Sequence, residues 1–330
     1  MSPRQIYIMV LLCAAALCGC LGEAEHSNPL DPGAPGFDSV GTVGGTTTRL
    51  YPPHSPVPGA EVQLSPGGFA SISDAEGRFS IRGVPVGVYE ITAEKDGFES
   101  LPKSIEIDLG AMVDTHSVRL DALPAIESFM IRSLHISRWF PAKDLYFLEI
   151  VADVTDPDGL GDIAEVWIEI PAHGYAYELD ETIVAGRFEA RVQADSLPGA
   201  SLYALQGSEF VVKASDEPGF VVTSEPGHII RIIDYTPVAV APQGQDSVLA
   251  TPTFSWEDAG LPYAYTYRID VIRDEANVQS VAATIEGVPR DSLAHTLETP
   301  LPAGTYFWTV SVVDEFGNRS RSKEAGFIIE

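Results

Sequence analysis

Cysteine is nearly absent: the 330 residues hold three, Cys13, Cys18 and Cys20, and none beyond position 20. A body without thiols has no disulfide, no thiolate nucleophile and no cysteine metal ligand, so packing alone must stabilise it. Basic residues are also scarce. Twenty Lys+Arg stand against 47 Asp+Glu, a net charge of −27, and a surface of that sign repels phosphate backbones, which argues against nucleic acid as a partner. No Gly-x-Ser-x-Gly elbow, P-loop or dinucleotide glycine fingerprint occurs, so the signatures of serine hydrolases and phosphate-cradling enzymes are missing. No convincing amphipathic helix is found either.

What is present begins with a leader. Arg4 and the free amino group put positive charge ahead of an apolar run from Ile6 to Leu17, too short to span a bilayer as a helix, so residues 1–19 read as a removable export signal. Leu17-Cys18-Gly19-Cys20 resembles the bacterial lipobox, in which small residues precede a cysteine that becomes the mature N-terminus. The resemblance implies a diacylglyceryl thioether on Cys20 and fatty-acyl chains such as palmitate. A plain signal peptide containing cysteines, or a short uncleaved anchor, are the alternatives. Two acyl chains anchor stably where one is marginal, so this modification would hold the body at a membrane surface. Leu21 stands where the enterobacterial inner-membrane sorting signal has Asp, which favours the outer membrane. Residues 20–36 then form a tether, because Asn28, Pro29, Asp31, Pro32, Gly33, Pro35 and Gly36 prevent regular structure.

Beyond the tether almost every ordered stretch alternates with period two and is broken every ten residues or so by Gly, Pro, Asn or Asp, the pattern of β-sandwiches. Three blocks are expected: 37–123, 124–234 and 235–330. In the first, Val40-Gly41-Thr42-Val43, Pro58-Gly59-Ala60-Glu61-Val62, Ser73-Asp74-Ala75-Glu76-Gly77-Arg78-Phe79, Gly83-Val84-Pro85-Val86-Gly87-Val88-Tyr89 and Asp96-Gly97-Phe98 follow in order. These five blocks resemble the carboxypeptidase regulatory-like domain, which implies a transthyretin-like sandwich, grouped with carbohydrate-binding-like folds. The second block alternates at Leu148, Ile150, Ala152 and Val154 and turns at Asp156-Pro157-Asp158-Gly159; it resembles immunoglobulin-like or cadherin-like modules. The third carries Trp256, the alternating Tyr265, Tyr267, Ile269 and Val271, and Pro302-Ala303-Gly304-Thr305-Tyr306. It resembles fibronectin type III, with Tyr306 as a tyrosine corner and Asp314 to Asn318 as a hairpin. Residues 275–286 fit a helix or a strand, and their strand neighbours favour a strand.

Candidate chemistry is sparse. His295-Thr296-Leu297-Glu298 matches the His-x-x-Glu pair of zinc carboxypeptidases, yet no histidine follows His295 to complete three ligands, so no zinc site is expected. The remaining histidines, His26, His54, His116, His135, His173 and His228, are scattered singly. Asp153, Asp156, Asp158, Asp162 and Glu165 surround Gly159 and Gly161. They suit either a structural calcium, with Asp156, Asp158 and Asp162 as its ligands, or an Asp-Pro-Asp-Gly turn with solvated acids. Trp256 and Trp308 sit at core phase. Trp167 is out of phase with Val166, Ile168 and Ile170, and Trp139 lies near a turn; both suit either a glycan contact or packing under a loop.

The expectation is an all-β chain of three tandem sandwiches behind a cleaved lipoprotein signal, catalysing nothing and needing either no cofactor or a structural calcium alone. Its role would be binding, adhesion or spacing at the bacterial cell envelope, its partners being a membrane through the lipid and an envelope protein or glycan. A carbohydrate-binding lipoprotein and an accessory subunit of an envelope enzyme or secretion complex are the alternatives.

Overall fold

A computed structural model describes residues 40–108, 112–114, 117–275 and 278–330. Two compact units are present, 1–122 and 123–330. The architecture is all-β, and among the described residues the only helical turns are short 3-10 segments.

The first unit holds β1 (Val40–Arg49), β2 (Glu61–Ser65), β3 (Phe69–Ile72), β4 (Arg78–Pro85), β5 (Gly87–Lys95), β6 (Phe98–Glu99), β7 (Lys103–Ile107), β8 (Met112–Asp114) and β9 (Val118–Ala122). β5 pairs with β2 and β7, and β1 pairs antiparallel with β4 and parallel with β8 and β9. The alternation read from the sequence sets the faces: Val62, Leu64, Tyr89, Ile91 and Ala93 are buried with Val43, Phe79 and Ile81. The β3–β4 turn is built as its residues dictate. Asp74 accepts from the Glu76 and Arg78 amides. Gly77 has φ +76°, and a Cβ there would sit 2.6 Å from the Thr47 carbonyl oxygen, so only glycine fits.

The second unit starts with β10 (Ala125–Ile136), β11 (Leu145–Thr155), β12 (Ile163–Ile170), β13 (Tyr175–Glu178), β14 (Asp180–Glu181), β15 (Arg187–Gln193), β16 (Val211–Asp216) and β17 (Val221–Thr223). It continues with β18 (Ala239–Ala241), β19 (Asp246–Val248), β20 (Thr253–Trp256), β21 (Tyr265–Glu275), β22 (Val278–Pro289), β23 (Ala294–Thr296), β24 (Gly304–Asp314), β25 (Arg319–Arg321) and β26 (Ala325–Ile329). Two cores form, one around Leu148, Ile150, Ile168, Phe210 and Val212, the other around Phe254, Tyr267, Trp308, Val310 and Phe327. Each core is closed on one side by a small sheet of its own, β13-β12-β16-β17 or β18-β20-β23. On the other side both rest on one continuous sheet, ordered β14-β15-β11-β10-β25-β24-β21-β22.

Residues 278–289 are a strand whose phase shifts part-way along. Register shifts along the β21–β22 pair place Ala283 opposite Val271 but Val281 opposite Ile272. An extra residue reverses the facing of everything beyond it, so Ala283 and Ile285 pack on the core while Val281 is exposed. The tyrosine corner forms as read, Tyr306 donating to the Pro302 carbonyl at 2.7 Å. The first unit repeats the device: in Pro85-Val86-Gly87-Val88-Tyr89, Tyr89 donates to the Pro85 carbonyl at 3.1 Å.

The seam between the two sandwiches of the second unit is a parallel β10–β25 pairing, Leu134 to Ile136 against Arg319 to Arg321. Its flanks are polar. The Ser133 amide donates to Asn318 Oδ1 at 2.9 Å, and the Ser133 hydroxyl to the Arg231 carbonyl. Asn318 in turn donates to Asp314, whose carboxylate takes Arg231 Nη1 at 2.7 Å. The Arg231 guanidinium lies 4.0 Å from the Tyr263 ring centre and 5.4 Å from that of Phe316. Backbone pairing and this network together join the two sandwiches. Asp314→Ala should cost about 3–5 kcal/mol, because it strands a partly buried guanidinium and the hairpin amides; urea unfolding of wild type and variant measures it.

Candidate functional site

The acidic loop joins β11 to β12, and strand phase decides which of its carboxylates meet. Asp153 lies on the outer face of β11, paired with Arg187 at 2.9 Å and accepting from Ser128. Glu165 is exposed on β12. Both point away from the loop interior. Asp156, Asp158 and Asp162 come together: Asp158 and Asp162 have carboxylate oxygens within 4.8 Å of each other, and the Asp158 amide donates to Asp156 Oδ1 at 2.7 Å. Asp156 and Asp162 are buried.

A fourth carboxylate, missed in the sequence, joins them. Asp216 closes β16, paired with Ile163, and the next amide, Glu217, donates to the Asp162 carbonyl at 2.8 Å. Asp216 Oδ1 accepts from the Gly219 and Phe220 amides. The signal lay in a repeated turn: Asp216-Glu217-Pro218-Gly219 resembles Asp314-Glu315-Phe316-Gly317 in the third sandwich, and each Asp caps its own hairpin. Burial, then repulsion from Asp162, Asp158 and Asp216, pushes the Asp156 carboxyl up to about 6.

Trp139 lies on the loop after β10 and is 66% exposed. Its indole N–H donates to the Glu324 carbonyl at 2.7 Å, and Lys323 Nζ sits 4.5 Å from the ring centre. The ring borders a cleft of about 790 Å³ lined also by Ser137, Pro237, Val238 and Gln243, within the size range of small-ligand sites. Trp167 is half-buried in β12 and donates to Glu169 at 2.8 Å; it does not border this cleft. A second cleft of about 750 Å³ lies over the seam. Three of its arginines are ion-paired, Arg191 and Arg319 with Glu149 and Arg268 with Asp270 and Glu286, while the Arg132 guanidinium meets Met130 Sδ at 2.9 Å. His135 is buried between Asp144 and the Ile233 carbonyl, stacked on Tyr146. His295 is half-buried in β23, with Glu298 exposed beyond it. Cys20, the signal segment, His26 and the tether lie outside the described residues, as does His116.

Residues 42–121 match the carboxypeptidase regulatory-like domain. That is a non-catalytic domain type. No curated protein matches the chain. Among solved structures, a DUF3823 family protein from Bacteroides ovatus is 10% identical over 58% of this chain and 98% of its own, with a TM-score of 0.26. BcpA, the major pilin subunit of Bacillus cereus, is 12% identical over 85% of this chain and 91% of its own, at 0.28. The FN1-FN3 domains of chicken CNTN1 are 12% identical over 82% and 90%, at 0.29.

The raised Asp156 carboxyl has a stability consequence. Its proton is held more tightly in the folded than in the unfolded chain, so its contribution is full below about pH 4 and is lost as pH rises through 6. In EDTA, Asp156→Asn should remove this fall, leaving the variant about 1–2 kcal/mol more stable than wild type at pH 7, after discounting for partial solvation. Urea unfolding at pH 4 and pH 7 checks the difference.

Proposed function

We propose that this chain is a non-catalytic lipoprotein of the bacterial cell envelope, held to a membrane by acyl chains on Cys20, whose sandwiches serve as a binding, adhesion or spacer module. The observation that carries the reading is the seam. A spacer has to keep one end in a fixed relation to the other, and two sandwiches that share one sheet do this where a bare linker does not. The lipobox-like Leu17-Cys18-Gly19-Cys20 supplies the anchor, and Leu21 favours the outer membrane. The acidic balance supports attachment through the acyl chains alone, since like charge disfavours contact between the body and anionic headgroups. The regulatory-like match agrees with a role without chemistry of its own.

A second reading, glycan binding, draws support from the exposed indole of Trp139 at the edge of an open cleft. An aromatic ring beside polar groups suits the apolar face of a pyranose.

Expressed in a bacterium that processes lipoproteins, the wild-type chain should start at Cys20 with its mass raised by a diacylglyceryl group and fatty acid, and sediment with membranes. Cys20→Ala should leave the signal uncleaved and abolish palmitate incorporation. Mass spectrometry of the mature N-terminus checks this, and an unmodified N-terminal cysteine would refute the anchor. For the second reading, a glycan array should show binding that Trp139→Ala removes and Trp167→Ala spares; an array without signal rejects it.

A further inference from the structure

The second and third sandwiches carry the same hairpin and use its aspartate differently. In the third, Asp314 Oδ1 caps the turn and Oδ2 takes Arg231. In the second, Asp216 Oδ1 caps the turn in the same way, but Oδ2 is buried without a hydrogen-bond partner among the described residues, in a side chain 1% exposed. Where its counterpart meets a guanidinium, Asp216 meets other acids. Asp156 is 9% exposed, and its Oδ2 also lacks a hydrogen-bond partner among the described residues. The charges acting most strongly on Asp156 are the carboxylates of Asp162, Asp158 and Asp216, with no cation among them.

Buried carboxylates that repel one another must take up protons or share a cation. We infer that Asp156, Asp158, Asp162 and Asp216 form a binding site for one divalent cation of the calcium type. Calcium takes six to eight oxygens, tolerates irregular loops, and accepts carboxylates, backbone carbonyls and water together. Here a glycine-containing loop supplies three carboxylates and an adjacent hairpin a fourth, and the Glu217 amide already fastens that hairpin to the Asp162 carbonyl. The oxygens left over after capping, Asp156 Oδ2 and Asp216 Oδ2, are the ones a cation would engage. The site would tie the β11–β12 loop to the β16–β17 hairpin. This inference is independent of the lipid anchor and of the glycan reading.

The test is calorimetric titration of the full-length protein in detergent with calcium chloride, after EDTA treatment, together with thermal melts. One calcium per chain is expected, with a Tm rise of about 4 °C when free calcium is ten times Kd. Asp216→Asn retains the oxygen that caps the hairpin, so it should fold, melt no lower than wild type in EDTA, and lose at least tenfold in calcium affinity. Should it fail to fold, Asp156→Asn serves the same purpose. Three results would each overturn the site: no heat and no Tm shift at 10 mM calcium, an equal Tm shift from sodium chloride of matched ionic strength, or undiminished affinity in the folded variants.

Discussion

A side-chain amide stands at the centre of the polar network along the seam of the second unit. The β10–β25 ladder is three residue pairs long, and the Ser137 amide donating to the Arg321 carbonyl at 3.1 Å continues it at one end. Asn318 extends it by taking the Ser133 amide at 2.9 Å, across 185 residues of chain. Its orientation is set by Asp314, which accepts from both the side chain and the backbone of Asn318. Asp314 is buried and tolerable as a charge because Arg231 neutralises it, and Arg231 is held between Tyr263 and Phe316. Each member depends on the next, so the network is satisfied as a whole or strained as a whole.

Such a junction fixes geometry more than it adds stability. Buried ion pairs are desolvated at a cost that roughly cancels their attraction, whereas removing one partner is severe. An apolar seam of equal area would permit sliding; hydrogen bonds at fixed registers do not. The ion pairs in the seam cleft act in the same sense, Glu149 of β11 reaching Arg319 of β25 across the junction at 3.5 Å. With no cysteine beyond Cys20, packing, backbone pairing and these polar contacts hold the two sandwiches together.

Much of the fold was legible because alternation reports which face of a strand is buried. Leu148, Ile150, Ala152 and Val154, the Asp74–Arg78 turn and the Tyr306 corner all follow from local rules. Partners are another matter, since period two says nothing about which strand lies alongside. The pairing of β10 with β25, and the bulge that turns Val281 outward, depend on residues far apart in sequence or on one extra residue. The acidic site was half legible for the same reason. Asp156, Asp158 and Asp162 share a loop, while Asp216 arrives through β16 and was recognisable only by the likeness of its turn to Asp314-Glu315-Phe316-Gly317.

The rigidity of the seam is open to direct measurement, because no cysteine lies beyond Cys20. Ile183 and Leu249, exposed residues on different sandwiches, would be replaced by cysteine in the processed protein and spin-labelled for pulsed electron double resonance. The account predicts one narrow distance distribution that broadens when Asn318→Ala is added. A broad distribution in the wild-type background, unchanged by Asn318→Ala, would contradict it.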